Sequence, residues 1–241
     1  YEEQKKTAAA ALQQPDKFKS DPWEKARLEA LVKNPPPDYV AGAAFYGACL
    51  NYEAGKVAEA LPKFQAFAKE FAASPLKDDA QLRAGFCLVQ SKAFDEAAKA
   101  LQPLTNHAKL GDQANYWLGK AQLGLALAAD PNNPNARTEA FNRAIGSLRG
   151  AADRANQLGG QDPDAKARRP EILLELADAL LTAGQNQQAA QVYDQILNEK
   201  LLPARTEETL QRAIAAYHLA NDVNSSEARV AAFRQQFPNS A

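Results

Sequence analysis

Two histidines (His107 and His218), two cysteines (Cys49 and Cys87) and a few acid pairs are the residues of this chain best suited to chemistry, and their spacing assembles no catalytic or metal-binding group. A zinc site needs three or four converging ligands, yet there is no HExxH, CxxC or histidine–cysteine cluster. The segment Asp130-Pro131-Asn132-Asn133-Pro134-Asn135 contains two prolines and lacks the glycine and closing glutamate of a calcium loop. No GxxxxGK[ST] follows Gly159-Gly160, and no serine lies in GxSxG. Asp78-Asp79 and Glu207-Glu208 read as helix starts, where carboxylates meet the positive end of the helix dipole. His107 follows Asn106 at a helix end and is expected to interact with terminal carbonyls; His218 reads as a surface residue. No catalytic residue, metal or cofactor is expected.

The bulk composition narrows the partners. The 241 residues are 46% hydrophobic and 24% charged, which is globular rather than disordered, and much of the apolar share is alanine. Small side chains suit close helix-to-helix approach rather than a thick core. A net charge of −1 argues against nucleic acid, whose phosphates demand a basic face. The clumps Lys166, Arg168, Arg169 and Arg205, Arg212 have acids nearby and read as solvated surface. Cys49 and Cys87 sit in apolar helical stretches as buried thiols, or as a single bridge if their Cα atoms come within about 7 Å. No apolar run reaches the ~20 residues of a membrane span. The chain holds no methionine, so it reads as a mature piece or a trimmed fragment.

Such residues must be positioned by something, and the sequence answers with repeats. From Ala44 to Phe71 there is a small residue at Ala48, a turn at Gly55, then Ala60, Phe64, Phe67 and Phe71. Ala60 and Phe64 are four apart, on one helical face. The same order returns as Ala84-Gly85, Phe94-Asp95-Glu96-Ala97, Leu101 and Leu104, and again as Leu176-Ala177, Ala183-Gly184, Ala189, Tyr193 and Ile196. This predicts an N-terminal helical lead segment over 1–37, containing Pro22 to Lys33 capped by Asp21 and stopped by Pro35-Pro36-Pro37. Five helix hairpins are expected over 38–241, at about 38–73, 76–106, 110–158, 168–200 and 204–237. In the third, Asp130-Pro131-Asn132-Asn133-Pro134 is an insertion, and either Ala140 or Ala144 could fill the tight packing site. In the fifth, Ser225 stands where alanine is usual.

The order of small, apolar and turn residues, with Tyr116-Trp117-Leu118-Gly119 opening one first helix and Phe94-Asp95-Glu96-Ala97 opening one second helix, resembles the tetratricopeptide repeat (TPR) family. That resemblance implies an all-α, right-handed superhelical solenoid of about five hairpins. It also implies a non-catalytic scaffold that holds a protein or peptide partner in a concave groove lined by the first helix of each hairpin. Carried over residue by residue, the groove falls on Phe45, Tyr52, Leu82, Phe86, Gln90, Tyr116, Lys120, Asp178 and Tyr217, although Phe45, Phe86 and Tyr116 could equally pack between helices. The family's carboxylate clamp needs clustered lysine, arginine and asparagine, and only Lys120 fits. The lining would suit a segment with apolar anchors. A structural spacer within a longer repeat protein is the alternative.

Phe237-Pro238-Asn239-Ser240 matches the inter-repeat junction Phe71-Ala72-Ala73-Ser74-Pro75, so the native protein is expected to continue, or its ends to meet another chain. The Phe-Pro-x-Ser junction, with alanine- and glutamine-rich helices, is similar to bacterial envelope repeat proteins of the Tol-Pal coordinator and outer-membrane assembly lipoprotein types. That resemblance implies a periplasmic or envelope location, with the cytoplasm as the alternative.

Overall fold

The structure, a computed structural model, describes residues 1–14, 18, 21–34 and 38–240; the expected helix stop at Pro35-Pro36-Pro37 lies outside the described residues. The described residues contain helices and turns and no strand. They form two compact units, 1–80 and 81–241.

The first unit holds α1 (Glu2–Leu12), α2 (Pro22–Lys33), α3 (Asp38–Glu53) and α4 (Val57–Glu70). Asp21 caps α2 by accepting from the Glu24 amide at 2.9 Å, with Pro22 at the first helical position, where its missing N–H costs nothing. Ala8, Phe18 and Leu28 form a small core between α1 and α2. α3 packs on α4. Ala48 and Ala60 are fully excluded from solvent there, and the Phe45 ring lies 6.1 Å from Phe64 and 5.6 Å from Phe67.

α5 (Lys77–Gln90) runs from the first unit into the second, which continues with α6 (Phe94–Leu101), α7 (Gly111–Ala128), α8 (Pro134–Leu158), α9 (Pro163–Thr182), α10 (Asn186–Asn198), α11 (Thr206–Leu219) and α12 (Val223–Gln236). From α6 onward each helix packs against the next. One continuous core runs from Ala126 of α7 through α8, α9 and α10 to Tyr217 of α11.

One turn geometry sets the register of four hairpins. Gly55 and Gly184 take φ of +73° and +74°, and Lys92 and Asn221 adopt the same left-handed conformation at +60° and +58°. In each case the amide of the next residue bonds back to a carbonyl five residues earlier (Lys56 to Asn51, Ala93 to Leu88, Gln185 to Leu180, Asp222 to Tyr217), which closes the first helix with a Schellman motif. Five residues beyond each left-handed residue lies a buried small side chain: Ala60, Ala97, Ala189 and Ser226. This corrects the sequence reading of the last hairpin. Ser225 caps α12 with Asp222, and Ser226 is the residue packed inward, its hydroxyl 3.5 Å from the Ile214 carbonyl.

Small residues on the first helices receive the side chains of the second. A Cβ at Gly85 would stand 2.4 Å from Leu101, and one at Gly119 would stand 2.7 Å from Leu148. Leu101 follows Ala97 by four residues, as Leu148 follows Ala144, so Ala144 rather than Ala140 fills the tight site of the third hairpin. Ala144 is completely buried. In α8 this site lies seven residues further from the cap, Asn133, than in the other second helices. Seven residues are nearly two turns, so the packing face is kept while the hairpin grows longer.

Candidate functional site

In the second unit α7 touches α9, its counterpart in the next hairpin. A cleft of about 510 Å³ between them is lined by Gln113, Tyr116 and Trp117 from α7 and by Asp164, Ala167, Arg168, Glu171 and Ile172 from α9. Gln113, Tyr116 and Trp117 share one face of α7, as Asp164, Arg168, Glu171 and Ile172 do of α9, by the three- and four-residue spacing of the helix. The walls are aromatic and aliphatic and the rim is polar. Phe86 of α5 extends the aromatic wall, its ring 4.6 Å from Trp117. Tyr116 meets Trp117 edge to face at 5.5 Å.

Ion pairs fix the width of this cleft. At one end the Lys120 ammonium of α7 lies 3.3 Å from Glu175 of α9 and over the rings of Tyr116 and Trp117 at 5.4 and 5.8 Å. Burial by itself would lower the Lys120 pKa, but Glu175 and Tyr116 outweigh it and hold it above its ordinary value. Burial also raises the Tyr116 hydroxyl, so that side chain stays neutral. At the other end Arg168 of α9 donates to Asp112 of α7 at 2.9 Å; the Asp112 side chain is 0% exposed and that of Arg168 31%.

The same bracing continues along the unit. Asp178 of α9 accepts from Tyr193 of α10 and from Arg212 of α11. One helix later Asp194 of α10 accepts from Tyr217 of α11 at 2.7 Å and pairs with Arg229 of α12 at 2.8 Å. Each aspartate thus ties three successive helices together through one tyrosine and one arginine. Burial raises the Tyr193 and Tyr217 hydroxyls, and the hydrogen bonds to their aspartates add to it; Tyr217 is pushed up to about 12.

The structure separates the residues singled out by spacing. Tyr116 and Lys120 come together at the cleft, and Phe86 joins them through Trp117. Leu82 and Tyr217 are buried in the second unit and Phe45 in the first, where they pack between helices instead of facing a partner. A first-helix position can point into the stack as readily as out of it, and at these three the apolar side chain turns inward. Asp178 is occupied in its tyrosine–arginine tie. Gln90 is exposed at the end of α5, and Tyr52 is half-buried in the first unit.

The structure also decides three smaller points. The basic clumps are braces rather than free surface: Arg168 holds Asp112, Arg169 holds Glu199, Arg205 holds Glu171 and Glu208, and Arg212 holds Asp178 and Glu208. The His107 amide donates to the Leu104 carbonyl at 2.9 Å at the end of the helix before it, as expected, and the ring nitrogen Nδ1 also accepts from the amides of Lys109 and Leu110 at 3.2 and 3.1 Å, which caps the approach to α7. Cys49 and Cys87 are buried thiols outside any disulfide, and burial pushes the Cys87 thiol up to about 11. Trp117, Glu175 and Arg212 were absent from the expected site. The i, i+4, i+7 acid stripe Glu171, Glu175 and Asp178 on α9 is the one sequence signal that pointed toward them.

Among the described residues no group of histidine, cysteine and acidic side chains is placed to hold a metal, and no helix is long and apolar enough to cross a membrane. No protein-family model matches the chain, and no curated protein matches it. Solved structures do. A thermophilic TPR protein from Thermus thermophilus superposes with a TM-score of 0.54 at 17% identity, covering 83% of this chain and 92% of its own. A putative kinesin light chain from Podosopora anserina with nearly identical TPR-like repeats gives 0.58 at 16% identity, covering 85% and 99%. BtubC (BKLC) from P. vanneervenii gives 0.52 at 15%, covering 100% and 93%. The fold is that of TPR-like helical repeats.

Proposed function

We propose that this protein is a non-catalytic interaction scaffold, and that the α7–α9 cleft receives an extended or helical segment of a partner protein. The observation that carries this reading is a half-open aromatic cleft, walled by Tyr116, Trp117 and Ile172, whose two helices are held at fixed separation by Lys120–Glu175 at one end and Arg168–Asp112 at the other. A cleft already braced loses little conformational freedom when it is filled, which favours binding. Its walls suit one apolar or aromatic anchor, and its rim suits backbone and polar side-chain hydrogen bonds. The absence of a converging nucleophile, base or metal set in the sequence favours holding over catalysis. The resemblance of the Phe-Pro-x-Ser junction to envelope repeat proteins favours the bacterial periplasm as the place of work.

The test is a display-library selection of peptides against the protein, followed by titration of the selected peptides. Tyr116→Ala should weaken their binding by about tenfold or more, the usual size of an aromatic anchor's contribution, while far-UV circular dichroism stays unchanged. Peptides that bind equally well to the Tyr116→Ala protein would remove the cleft from consideration.

A further inference from the structure

The first unit carries a second surface, on the outer face of α3. Tyr39, Tyr46 and Leu50 are 75, 60 and 66% exposed, and Ala43 is exposed beside them. Their spacing of four, three and four residues places all of them on one stripe of the helix. Gly42 and Gly47 flank this stripe, and a Cβ at either would meet nothing within 4 Å. The only charged residues of α3 are Asp38 and Glu53, at its two ends. A helix apolar on every side belongs in an interior. At the places matching Ala43 and Leu50 the later first helices are shut away from solvent, with Ala114 and Ala121 in α7 and Ile172 and Ala179 in α9, and Trp117 and Glu175, at the place matching Tyr46, are half-buried. This face is therefore one at which the fold ordinarily packs a helix, and on α3 it is open.

The pattern on α3 is symmetrical about a point between Ala44 and Phe45. When two copies of the helix lie antiparallel about that point, Tyr39 comes level with Leu50, Tyr46 with Ala43, and Gly42 with Gly47. Each large side chain meets a small or aliphatic partner, and Asp38 comes level with the neutral Asn51, so no like charges face each other. Such a match of residue i with residue j, and j with i, is what a two-fold interface requires. We infer that α3 is a self-association face, and that its occupant is the α3 of a second copy of this chain in antiparallel register. Three large exposed side chains per copy amount to a few hundred Å² each, below the ~1,200 Å² total of standard stable interfaces. The dimer is therefore weak and reversible, with a dissociation constant on the order of 10–100 µM.

Two measurements decide the matter. Sedimentation equilibrium between about 5 and 500 µM, a range that brackets the expected constant, should show a mass rising from 26.1 kDa toward twice that value, and Tyr46→Lys should abolish the rise with unchanged circular dichroism. A mass that stays at the monomer value throughout, or a dimer indifferent to Tyr46→Lys, would overturn the inference. In a Cys49→Ala, Cys87→Ala background, a mixture of Tyr39→Cys and Leu50→Cys proteins should form mixed disulfide dimers under mild oxidation while neither protein alone does so efficiently. Dimers of Tyr39→Cys with itself would show parallel pairing, and an unreactive mixture would show that another helix covers the face; either would refute the register. The cross-linking result stands even if Tyr46→Lys fails to fold.

Discussion

Replacing Gly119 by alanine tests the packing rule on which the second unit is built. The new methyl carbon would lie 2.7 and 2.8 Å from Cγ and Cδ2 of Leu148 and 3.2 Å from the Leu148 amide nitrogen. The leucine could swing aside in an open site, but it is fully buried, and the third contact is backbone. α7 and α8 must therefore move apart. Overpacking of this kind costs about 1–3 kcal/mol, while alanine gains about 1 kcal/mol over glycine in a helix interior. The net expectation is a loss of up to about 2 kcal/mol. Gly146 of α8 supplies the control, because a Cβ there meets nothing within 4 Å. Gly146→Ala should gain the propensity term alone, about 0.5–1 kcal/mol. In urea unfolding followed by Trp117 fluorescence in a Trp23→Phe background, the Gly119→Ala protein should fall below the Gly146→Ala protein by about 1–3 kcal/mol, because the propensity gain is common to both and only the overpacking differs. If Gly119→Ala is as stable as Gly146→Ala, the small residues on the first helices are not there to admit the second helices, and the account of the stack fails.

Other expectations follow from the same geometry. Arg168→Ala leaves the fully buried Asp112 without its cation and should cost about 2–3 kcal/mol, reduced from the figure for a wholly buried pair because Arg168 is partly solvated; thermal unfolding that is unchanged would show the pair to be idle. Tyr217 is raised to about 12 in the folded chain by burial and by its bond to Asp194, against an ordinary value of about 10 in the unfolded chain. Its contribution is complete below pH 10 and is lost as pH climbs toward 12, because the unfolded tyrosine ionises first. Tyr217→Phe should therefore flatten the fall of the melting temperature over that interval, and an identical slope in parent and variant would contradict the assignment. Lys92 holds a left-handed backbone, an arrangement that costs an L-residue about 1–2 kcal/mol. Lys92→Gly should raise stability by a few tenths to 1 kcal/mol after the larger chain entropy of glycine is charged against it, and a lowered urea midpoint would refute the strain.

The repeats were legible because each carries its own signals. Gly55 and Gly184 announced their turns, Asp21 its cap, and Ala60, Ala97 and Ala189 their buried faces, all within a few residues of chain. Lys92 gave no such signal, since a lysine rarely takes positive φ, and the turn there is imposed by the packing of the helices around it. In the last hairpin Ser225 and its neighbour Ser226 look alike in sequence, and only the packing of α12 shows that Ser226 is the one turned inward. The site was harder to read. Arg168 finds Asp112 and Lys120 finds Glu175 across gaps of more than fifty residues, and no local spacing reveals a pair that exists only after hairpins stack. The burial of Phe45, Leu82 and Tyr217 was hidden for the same reason: an aromatic or aliphatic residue on a first helix looks alike in sequence whether it faces inward or outward.

The third hairpin shows that reach and phase are separate variables in this architecture. Its second helix begins nearly two turns early, yet Ala144 still meets its neighbour where Ala97 and Ala189 meet theirs. A module lengthened by whole turns keeps its place in the row and merely projects further from it, whereas one lengthened by two or five residues would rotate its apolar face into water. Insertions at these tips should thus be tolerated in steps of about seven residues, which gives the fold a way to raise a new outcrop beside an unchanged stack.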